Sequence, residues 1–534
     1  MTETNLRPEI TGHLRRRLEA FREGFQHNLA MIGPPGSGKT FQLQLVVNHP
    51  PPHLLLIYCA LYRESCGSFL RRFLAAVLQA GLQGDRLPLT SVHQSLEPLL
   101  RQLEDRLPKT VAAIRPIEGL LTKRLFGDAF GRALDLIPIL TAECGRPCVL
   151  ILDEFLFLEE LGLAHAFHEL GKRVMTWPHT LFILASSSCH RARMILRERL
   201  QLLFGQFELV TLDAIDPAIL TTWVQRELKG VRGARAVSPF LTQWMGSYPW
   251  YLTVFLKRFR ELAALGKQPD FTEVLFLQTA WDLLGSPEGM LRQWCVSKTE
   301  GLTRSRLGAR AVEALMQIAN GARTTTEIGK RIGRAGLPEA LQLLVEHDLA
   351  KRNGMCWVVT DPILRCWLSG VLSAQRSEPG FPTAAHRQQF ERYLRELWTH
   401  WMHTHQLSFS EQVVGLFAKF ADETVSLDSK TGRLPKFQTI RTQRPESAAG
   451  TEAYLVAGGA GKHWCASVQE GPLDENAIGR FDAFCRRQTP KPSRKVVITK
   501  SMLDQNARLL AKAANMWVWG SDDLSTLMGL YGQI

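Results

Sequence analysis

The segment Asn28–Val47, NLAMIGPPGSGKTFQLQLVV, constrains the fold of this chain more than any other part of the sequence. It predicts a short apolar strand, a glycine-rich loop of the form G-x-x-x-x-G-K-T and a helix, the context that a phosphate-binding loop requires. In such a loop the backbone N–H groups surround phosphates at the positive end of the helix. We predict that the loop binds ATP, that Lys39 also acts in catalysis at the β- and γ-phosphates, and that Thr40 binds Mg²⁺. The loop residues predicted to contact ATP are Gly33, Pro34, Pro35, Gly36, Ser37, Gly38, Lys39 and Thr40.

An acidic pair follows a second apolar segment. The run Val149–Leu152 predicts a buried parallel strand that delivers Asp153 and Glu154 to the carboxyl edge of a sheet. An acidic pair at the end of a strand can also be solvated surface, but a phosphate-binding loop earlier in the chain favours a catalytic role. We predict that Asp153 belongs to the Mg²⁺ site and that Glu154 is the general base that polarises the attacking water.

Two further strands complete the predicted sheet. His53–Leu61 predicts a buried strand, and TLFILASSS predicts another that ends at Ser186–Ser188. We predict that Ser187 contacts the γ-phosphate. A sheet that inserts this last strand between the strands of the two motifs is typical of additional-strand P-loop ATPases, so the predicted fold class is α/β.

Length and charge limit the classes of function. A chain of 534 residues exceeds one hydrophobic core and predicts three or four domains. The formal net charge is +13, with basic surpluses in residues 190–260 and 301–352, which favour phosphate-rich partners, although an inert basic surface would give the same composition. No apolar run reaches the roughly 18 residues of a membrane span, and the N-terminus lacks the apolar stretch of a signal peptide. We therefore expect a cytoplasmic protein that contacts no membrane.

Several segments occur in the order typical of one group of ATPases. They are GPPGSGKT, LILDEF, ASSS, GSYPWYL at Gly246–Leu252 and VVTDPILRCWLSG at Val358–Gly370. The chain resembles the archaeal-type ATPases of prokaryotes, which are relatives of origin-recognition initiators and of STAND signalling ATPases. The resemblance implies that Tyr248 and Pro249 lie beside the adenine.

The resemblance also implies a domain order. We expect a P-loop ATPase core at 1–212, a helical lid at 213–295, a winged helix-turn-helix at 296–375, a linker at 376–388 and a degenerate restriction-endonuclease-like α/β domain at 389–534. Members of the group commonly carry an arginine shortly after the strand that ends in ASSS, and Gln206 stands at that position here. Nearby arginines either substitute for it or are plain surface: Arg191, Arg193, Arg197 and Arg199.

The segment 309–361 predicts three helices and a hairpin, which form a winged helix by analogy. A Thr cap begins the second helix, and Pro338 lies in the first turn of the third. The predicted outward residues of the third helix are Glu339, Gln342, Glu346 and His347, an acidic set that disfavours base readout. Basic residues flank this helix and favour contacts with the DNA backbone: Arg323, Lys330, Arg331, Arg334, Lys351 and Arg352. The alternative is a winged helix used only for protein packing.

The segment Thr451–Phe481 predicts a strand, a glycine-rich turn, a second strand and a helix, the layout of a metal-dependent nuclease core. Nucleases of this fold place an aspartate on one strand and a glutamate and lysine on the next. Here Tyr454, Ser467 and Gln469 stand at those positions. Glu391 and an Asp428-Ser429-Lys430 turn are the remaining candidates for nuclease chemistry. We predict an inactive nuclease relative that is kept for binding or assembly.

Three functions remain open from the sequence. The first is an ATP-binding and hydrolysing switch that acts on or near DNA, with ATP and Mg²⁺ as cofactors. Its expected partners are double-stranded DNA through backbone contacts, further copies of the chain in a homo-oligomer, and a protein that the sequence does not identify. The second is a STAND-type signalling scaffold that oligomerises without DNA, and the third is an ATP-regulated endonuclease. Fold similarity alone does not choose among them.

Overall fold

The structure is a computed structural model that describes residues 4–82, 96–163, 165–198, 207–266, 270–303, 305–377, 383–428, 430–444, 452–459, 461–501 and 503–531. The chain divides into two compact units. The first comprises Met1–Glu227 and Ser247–Val254, and the second comprises Leu228–Gly246 and Phe255–Ile534. The predicted lid, 213–295, contributes residues to both units, and the domain boundaries stay a prediction. Among the helices of the described residues, none combines the length and the hydropathy needed to cross a membrane.

The first unit is built on a parallel sheet. Its strands are β1 (Asn28–Ile32), β2 (Leu55–Ala60), β3 (Cys148–Asp153), β4 (Thr180–Ser186) and β5 (Phe207–Thr211). All neighbours pair in parallel, in the order β2-β3-β4-β1-β5. Strands β1, β3 and β4 are buried along their whole length, which explains their uninterrupted apolar sequences. The predicted insertion of β4 between β1 and β3 is confirmed, and the sheet is consistent with a P-loop ATPase core.

One strand differs from its prediction. The sequence predicts a buried strand over His53–Leu61, whereas β2 is the outermost strand and alternates between buried and half-buried residues. The half-buried positions include Leu56 and Tyr58, which only partly join the core on their face of the sheet. The cause is the position of β2 at the sheet margin, where the helical layer covers one face incompletely.

Helices cover both faces of this sheet. They are α1 (Pro8–Arg22), α2 (Lys39–Val47), α3 (Cys66–Gly81), α4 (Glu97–Leu103), α5 (Pro108–Thr122), α6 (Phe126–Cys144), α7 (Ala166–Thr176), α8 (Cys189–Glu198) and α9 (Pro217–Glu227). Helices α1 and α2 pack Leu14 and Leu43 against one face of the sheet. Helices α3 to α7 build the larger core on the other face, where Phe69 and Phe130 meet at 6.3 Å between ring centroids. A turn of 3₁₀ helix, Phe155–Glu159, follows β3.

The next helices are α10 (Ala234–Trp244), α11 (Pro249–Leu265), α12 (Glu273–Ala280) and α13 (Met290–Thr303), with a π-helical turn at Trp281–Gly285. Helix α11 has residues in both units. In the second unit, Phe240 of α10 is the centre of an aromatic cluster and contacts Phe276 at 5.7 Å between ring centroids. This cluster supplies the apolar packing that holds the helices of this segment together.

The segment predicted to be a winged helix forms α14 (Gly308–Ala319), α15 (Thr325–Ile332), α16 (Leu337–Glu346) and the antiparallel strands β6 (Ala350–Asn353) and β7 (Cys356–Val359). Thr324 caps α15 in a capping box with Glu327, as the sequence predicts for a Thr in this segment. Pro338 lies in the first turn of α16. The elements therefore form at the predicted positions, and their classification as a winged helix stays a prediction.

Helices α17 (Pro362–Trp367), α18 (Ser373–Ser377) and α19 (Ala384–Gln406) follow, with a π-helical turn at Leu368–Leu372. Thr383 caps α19 in a capping box with His386, so the helix begins inside the predicted linker and not after it. Trp398 of α19 meets Phe240 at 4.6 Å between ring centroids.

The C-terminal segment is an α/β structure. Its elements are α20 (Phe409–Ala418), β8 (Glu423–Leu427), β9 (Lys430–Leu434), β10 (Thr439–Gln443), β11 (Ala453–Gly459), β12 (Lys462–Gln469), α21 (Glu475–Arg487), β13 (Arg494–Thr499), α22 (Gln505–Ala513), β14 (Met516–Trp519) and α23 (Ser521–Leu530). Strands β10 to β14 form one sheet in sequence order, antiparallel up to β12 and parallel after it. The predicted strand, turn, strand and helix are present, while a nuclease-like classification stays a prediction.

The tip of the β6–β7 hairpin is covered by strand β8. The backbone N–H of Met355 donates to the carbonyl oxygen of Thr424 at 2.8 Å, and the N–H of Ser426 donates to the Asn353 side chain at 2.7 Å. Gly354, at the turn, has φ 61°, and a Cβ there would overlap the carbonyl oxygen of Thr424. The hairpin tip is therefore hydrogen-bonded to β8, while the Met355 side chain stays exposed.

Arg323 does not belong to the basic surface that the sequence predicts around α16. Its Nε lies 3.1 Å from Oε1 of Glu423, and its guanidinium lies 4.6 Å from the ring centroid of Tyr531. The Tyr531 hydroxyl donates to Oε2 of Glu423 at 2.7 Å. Glu423 is only 3% exposed, and a buried carboxylate requires a cationic or hydrogen-bonding partner. Arg323 fills that role.

Candidate nucleotide site

Three segments of the first unit meet at one edge of the parallel sheet. The glycine-rich loop follows β1, Asp153 is the last residue of β3, and Ser187 follows β4 directly. Because parallel strands end at the same edge, the central position of β1, β4 and β3 brings these segments together. The predicted site residues thus converge through sheet order.

The loop has the backbone conformation of a phosphate cradle. Gly36 and Gly38 have φ of 79° and 97°, values that residues with a Cβ rarely adopt. Gly38 precedes α2 and provides no side-chain cap, so the first turn of the helix begins at the loop itself. Gly33 lies against strand β5, since a Cβ there would stand 2.7 Å from the carbonyl oxygen of Leu212. These conformations turn the loop backbone toward the start of α2, where anions bind.

Lys39 is buried at the base of the loop, with 4% of its surface exposed. Its ammonium donates to the carbonyl oxygens of Gly33 at 2.7 Å and Pro34 at 3.1 Å. A buried ammonium needs such partners, because desolvation without hydrogen bonds is costly. The loop backbone thus holds Lys39 among the residues predicted to surround the phosphates.

Asp153 connects the loop to strand β3. Its Oδ2 accepts hydrogen bonds from the Thr40 hydroxyl at 2.7 Å and from the Tyr58 hydroxyl at 3.1 Å. Asp153 is 2% exposed, and its Oδ1 has no hydrogen-bond partner among the described residues. An orphaned, buried carboxylate oxygen beside a threonine hydroxyl fits Mg²⁺, which takes oxygen ligands. Thr40 and Asp153 are therefore the side chains that would hold it.

Sequence reasoning missed Tyr58. It lies in β2, two residues before Ala60, which is the register partner of Asp153. Burial and the Asp153 carboxylate raise the pKa of Tyr58, so that the hydroxyl stays protonated and can donate. The available signal was a polar side chain near the carboxyl end of a strand that neighbours the acidic pair.

Glu154 has a left-handed backbone, with φ 56° and ψ 44°, which is uncommon for a residue with a side chain. Its Oε2 accepts a hydrogen bond from the backbone N–H of Ser187 at 2.9 Å. Such conformations persist where the surrounding structure enforces them, and they cluster at functional sites. The carboxylate therefore lies between the ends of β3 and β4. The predicted contact residue Ser187 meets it through its backbone, while the Ser187 side chain is half-buried.

The segment predicted to lie at the adenine borders the loop. Pro249 is the first residue of α11, and a Cβ at Gly36 would stand 3.2 Å from Cβ of Trp250. The Tyr248 ring packs edge-on against Tyr251 at 5.8 Å. Tyr248 and Pro249 are thus next to a residue that touches the loop, and their contact with adenine stays a prediction.

The arginine candidates are only partly described. Gln206 and Arg199 lie outside the described residues. Arg191 donates to Glu159 at 2.8 Å, so it has a partner within its own unit. Arg193 and Arg197 are exposed on α8. A role of these arginines, on the nucleotide of the same chain or of a second copy, stays a prediction.

The C-terminal residues that replace nuclease ligands lie on adjacent strands. Tyr454 of β11 is the register partner of Ser467 of β12, and both are buried. The Gln469 amide donates to the Pro472 carbonyl at 3.2 Å. Next to this pair, the buried carboxylate of Glu452 forms an ion pair with Arg480 at 3.2 Å, a contact that sequence reasoning missed.

The two alternative acids have other partners. Glu391 forms an ion pair with Arg387 at 2.9 Å along helix α19. Asp428 lies in the turn between β8 and β9, where its backbone N–H donates to Asp523 at 2.9 Å. Glu391 is thus paired within its own helix, whereas the Asp428 contact is made by its backbone and joins the turn to helix α23. Ser429 lies outside the described residues.

No known protein family profile matches the chain, and no curated protein matches it. Solved structures share similarity with it. A Walker-type ATPase of Pyrococcus abyssi is 16% identical, with 68% of this chain and 95% of that chain covered and a TM-score of 0.46. The ORC2 protein of Aeropyrum pernix, solved as ADPNP–ADP complexes, is 15% identical over 71% of this chain and 96% of its own, with a TM-score of 0.44.

The ORC1 protein of Aeropyrum pernix, solved in complex with DNA, is 14% identical over 70% of this chain and 94% of its own, with a TM-score of 0.36. The neighbours named are thus a Walker-type ATPase and two ORC proteins, all at low identity. These values do not assign the chain to a family, and its function rests on the residues of the site.

Proposed function

We propose that this protein is an ATP-binding and ATP-hydrolysing molecular switch that acts on or near DNA. The observation that carries the ATPase part is the contact of Thr40 with the buried Asp153, which joins the glycine-rich loop to the acidic pair at 2.7 Å. Two sequence motifs that are 113 residues apart meet there with the hydroxyl and carboxylate that a nucleotide-bound Mg²⁺ requires.

Each group of the site has a separate role in the proposed hydrolysis of ATP. The loop N–H groups bind the triphosphate, and the Lys39 ammonium exchanges the carbonyl oxygens of Gly33 and Pro34 for phosphate oxygens. Thr40 and Asp153 would hold Mg²⁺, which neutralises charge on the phosphates when it is bound. The Glu154 carboxylate leaves the Ser187 N–H and accepts a proton from the attacking water.

Variants at the two motifs test this assignment. Lys39→Ala should remove most of the affinity for a fluorescent ATP analogue, because a positive charge at the phosphates is lost. Glu154→Gln should bind the analogue as the wild type does and hydrolyse ATP at least about a hundredfold more slowly, the usual contribution of a general base. The matched control is Glu118→Gln on the surface of α5, which should change neither quantity. Wild-type turnover in Glu154→Gln would remove Glu154 from its role.

The DNA part of the proposal rests on exposed basic residues of the second unit. Lys330 and Arg334 flank the α15–α16 turn, and Lys351 and Arg352 lie on strand β6; all four are exposed. Lysine and arginine side chains at such positions bind phosphates without reading sequence. We infer contacts with the DNA backbone, with Arg323 excluded because it pairs with Glu423.

A second function, a signalling scaffold that oligomerises without DNA, is favoured by two observations on the same segment. The outward residues of α16 are exposed as predicted, and two of the four are acidic: Glu339, Gln342, Glu346 and His347. The tip of the β6–β7 hairpin is hydrogen-bonded to β8, a contact that favours a role in packing within the protein. If the protein oligomerised on binding a ligand and had no affinity for DNA, the scaffold would be the correct function.

We also propose that the C-terminal domain is a nuclease relative without nuclease activity, used for binding or assembly. Tyr454, Ser467 and Gln469 offer no carboxylate where the strands would need one. The neighbouring Glu452 is buried and paired with Arg480, so its charge is already neutralised. A catalytic Mg²⁺ needs several free oxygen ligands, which supports the proposal.

A further inference from the structure

We propose that Tyr58 is a positioning residue that aims the Asp153 carboxylate at the cation site. The inference rests on the proposed ATPase function, since it assigns a residue to the cation side of that same site. It is carried by one contact, in which the Tyr58 hydroxyl donates to Oδ2 of Asp153 at 3.1 Å.

The contact arises from the register of the sheet. Strands β2 and β3 pair in parallel, with Tyr58 opposite Ile151 and Ala60 opposite Asp153. Tyr58 therefore stands two residues short of the acidic position on the neighbouring strand, a distance that only a long polar side chain spans. Its ring is half-buried on the face of the sheet that α1 and α2 cover.

The two hydrogen bonds on Asp153 have different origins. Thr40 belongs to the start of α2, in the loop that receives the nucleotide, while Tyr58 belongs to a strand. Both donate to Oδ2, and this leaves Oδ1 as the oxygen without a partner among the described residues. If the carboxylate turned out of this plane, both bonds would weaken, so the two donors fix the direction in which the second oxygen points.

The hydrogen bond from Tyr58 to Asp153 does not depend on the conformation of the glycine-rich loop. When the loop rearranges around phosphates, the Thr40 hydroxyl changes its surroundings, whereas β2 keeps the register that its pairing with β3 sets. The Tyr58 bond would then hold the buried carboxylate in place, as partners behind a ligand commonly do. Removal of such a partner typically lowers metal affinity by about 10- to 100-fold.

The test is equilibrium binding of a fluorescent ATP analogue to the full chain, first in EDTA and then across a Mg²⁺ titration. Tyr58→Phe removes only the hydroxyl. We expect its affinity in EDTA to stay within about twofold of the wild type, because Tyr58 touches no phosphate-binding group. The Mg²⁺ concentration that gives half of the binding change should rise about tenfold.

The matched control is Tyr62→Phe. Tyr62 is 58% exposed, and its ring lies 5.0 Å from the guanidinium of Arg72, away from Asp153 in its recorded contacts. This variant should titrate like the wild type. A Mg²⁺ midpoint within twofold of the wild type in Tyr58→Phe would overturn the inference, and so would an equal shift in Tyr62→Phe.

The EDTA arm separates a local effect from misfolding, since a misfolded Tyr58→Phe protein would lose affinity there as well. In that event, p-aminophenylalanine at position 58, which keeps the ring and a hydrogen-bond donor at the same reach, must restore the midpoint or the inference is abandoned. If the wild type itself binds no nucleotide, the proposed function fails and the inference fails with it. If the wild type binds and responds to Mg²⁺ while Tyr58→Phe matches it, only the inference fails.

Discussion

At the scale of single residues, the candidate nucleotide site is a set of polar groups that are largely paired with one another, although Oδ1 of Asp153 and the Ser37 hydroxyl have no hydrogen-bond partner among the described residues. Lys39 is held by loop carbonyls, Asp153 by two hydroxyls, and Glu154 by the N–H of Ser187. An unpaired buried polar group costs about 1–3 kcal/mol, so these pairings explain how the charges are tolerated before any phosphate is bound. A ligand that replaces them must supply equivalent partners, which phosphate oxygens and Mg²⁺ do.

Gly33 gives a prediction at this scale, since the space beside it is closed. A Cβ would stand 2.7 Å from the Leu212 carbonyl oxygen and 2.9 Å from the Ser37 hydroxyl. Because the Leu212 N–H is bonded to Ile32, that backbone cannot withdraw without breaking the β1–β5 pairing. Gly33→Ala should lower the free energy of unfolding of the first unit by about 1–3 kcal/mol.

The control for this change is Gly119→Ala on helix α5, where a Cβ would have no neighbour within 4 Å. It should raise the free energy of unfolding by about 0.5–1 kcal/mol, because alanine favours a helix interior. Denaturant titration of both variants measures the two effects. Equal changes in the two proteins would show that the contact with Leu212 is unimportant.

At the scale of elements, the β6–β7 hairpin belongs to the C-terminal core as much as to the three helices before it. Cys356 of β7 lies in the same apolar cluster as Phe417 and Trp519. The Arg323–Glu423 ion pair and the Met355–Thr424 backbone bond add polar contacts across the same boundary. A hairpin fixed on both sides moves with its neighbours, so a wing that swings freely into DNA is not part of this arrangement.

Gly354 tests that packing. At φ 61°, with the Thr424 carbonyl in the place of a Cβ, alanine is strained both in its backbone and against β8. Gly354→Ala should lower the free energy of unfolding of the second unit by more than the roughly 1–2 kcal/mol that left-handed backbone strain costs by itself. Hydrogen exchange of the Met355 N–H should also become faster, because the bond to Thr424 is broken.

Gly321→Ala isolates the strain component of this prediction. Gly321 has φ 88° but no atom within 4 Å of a Cβ, so its substitution should cause the strain without the steric overlap. Its Met355 exchange rate should equal that of the wild type. If Gly354→Ala were no more destabilising than Gly321→Ala, the hairpin would have to be loosely packed on β8.

At the scale of the whole molecule, the proposed function assigns nucleotide binding to the first unit and contacts with partners to the second. The formal net charge of +13 favours phosphate-rich partners at long range. The same net charge could, however, belong to a basic surface that binds no DNA. The DNA-binding switch and the signalling scaffold therefore differ in whether the exposed basic residues of the second unit contact DNA.

Charge-reversal variants measure how much the basic residues of strand β6 contribute to DNA binding. Lys351→Glu combined with Arg352→Glu should weaken binding to unrelated DNA duplexes by similar factors, and the slope of log affinity against log salt should fall by about 2. The control, Lys109→Glu with Lys123→Glu on the surface of α5, changes the net charge equally and should have little effect. The same binding reactions with supercoiled plasmid, ATP and Mg²⁺ should leave the plasmid uncut.

Three outcomes would change the assignment. Loss of affinity for one sequence only would restore base readout, and a wild type that binds no DNA at low salt would favour the scaffold. Plasmid cleavage that disappears in Asp428→Ala or Glu391→Ala would show an active nuclease.

Several features could be predicted from the sequence because they are local. The loop glycines, the apolar run before Asp153, the Thr cap of α15 and Pro338 in α16 depend on residues within a few positions of one another. The insertion of β4 between β1 and β3 was also predictable, since it follows from motif type. The edge position of β2 was not, because a run of apolar residues does not reveal how many neighbours its strand will have.

The sequence by itself determined the glycine-rich loop, the buried strands that lead to it and to Asp153, and the start of α15, because turn chemistry and apolar runs are encoded in short segments. Only the tertiary structure decided which side chains meet across those elements. Tyr58 reaches Asp153 through the register of two strands nearly a hundred residues apart in the chain, and Arg323 is withdrawn from the basic surface by a buried glutamate a hundred positions later. Register and burial are properties of the assembled sheet and core, where each charge must find its partner, and no local pattern carries them.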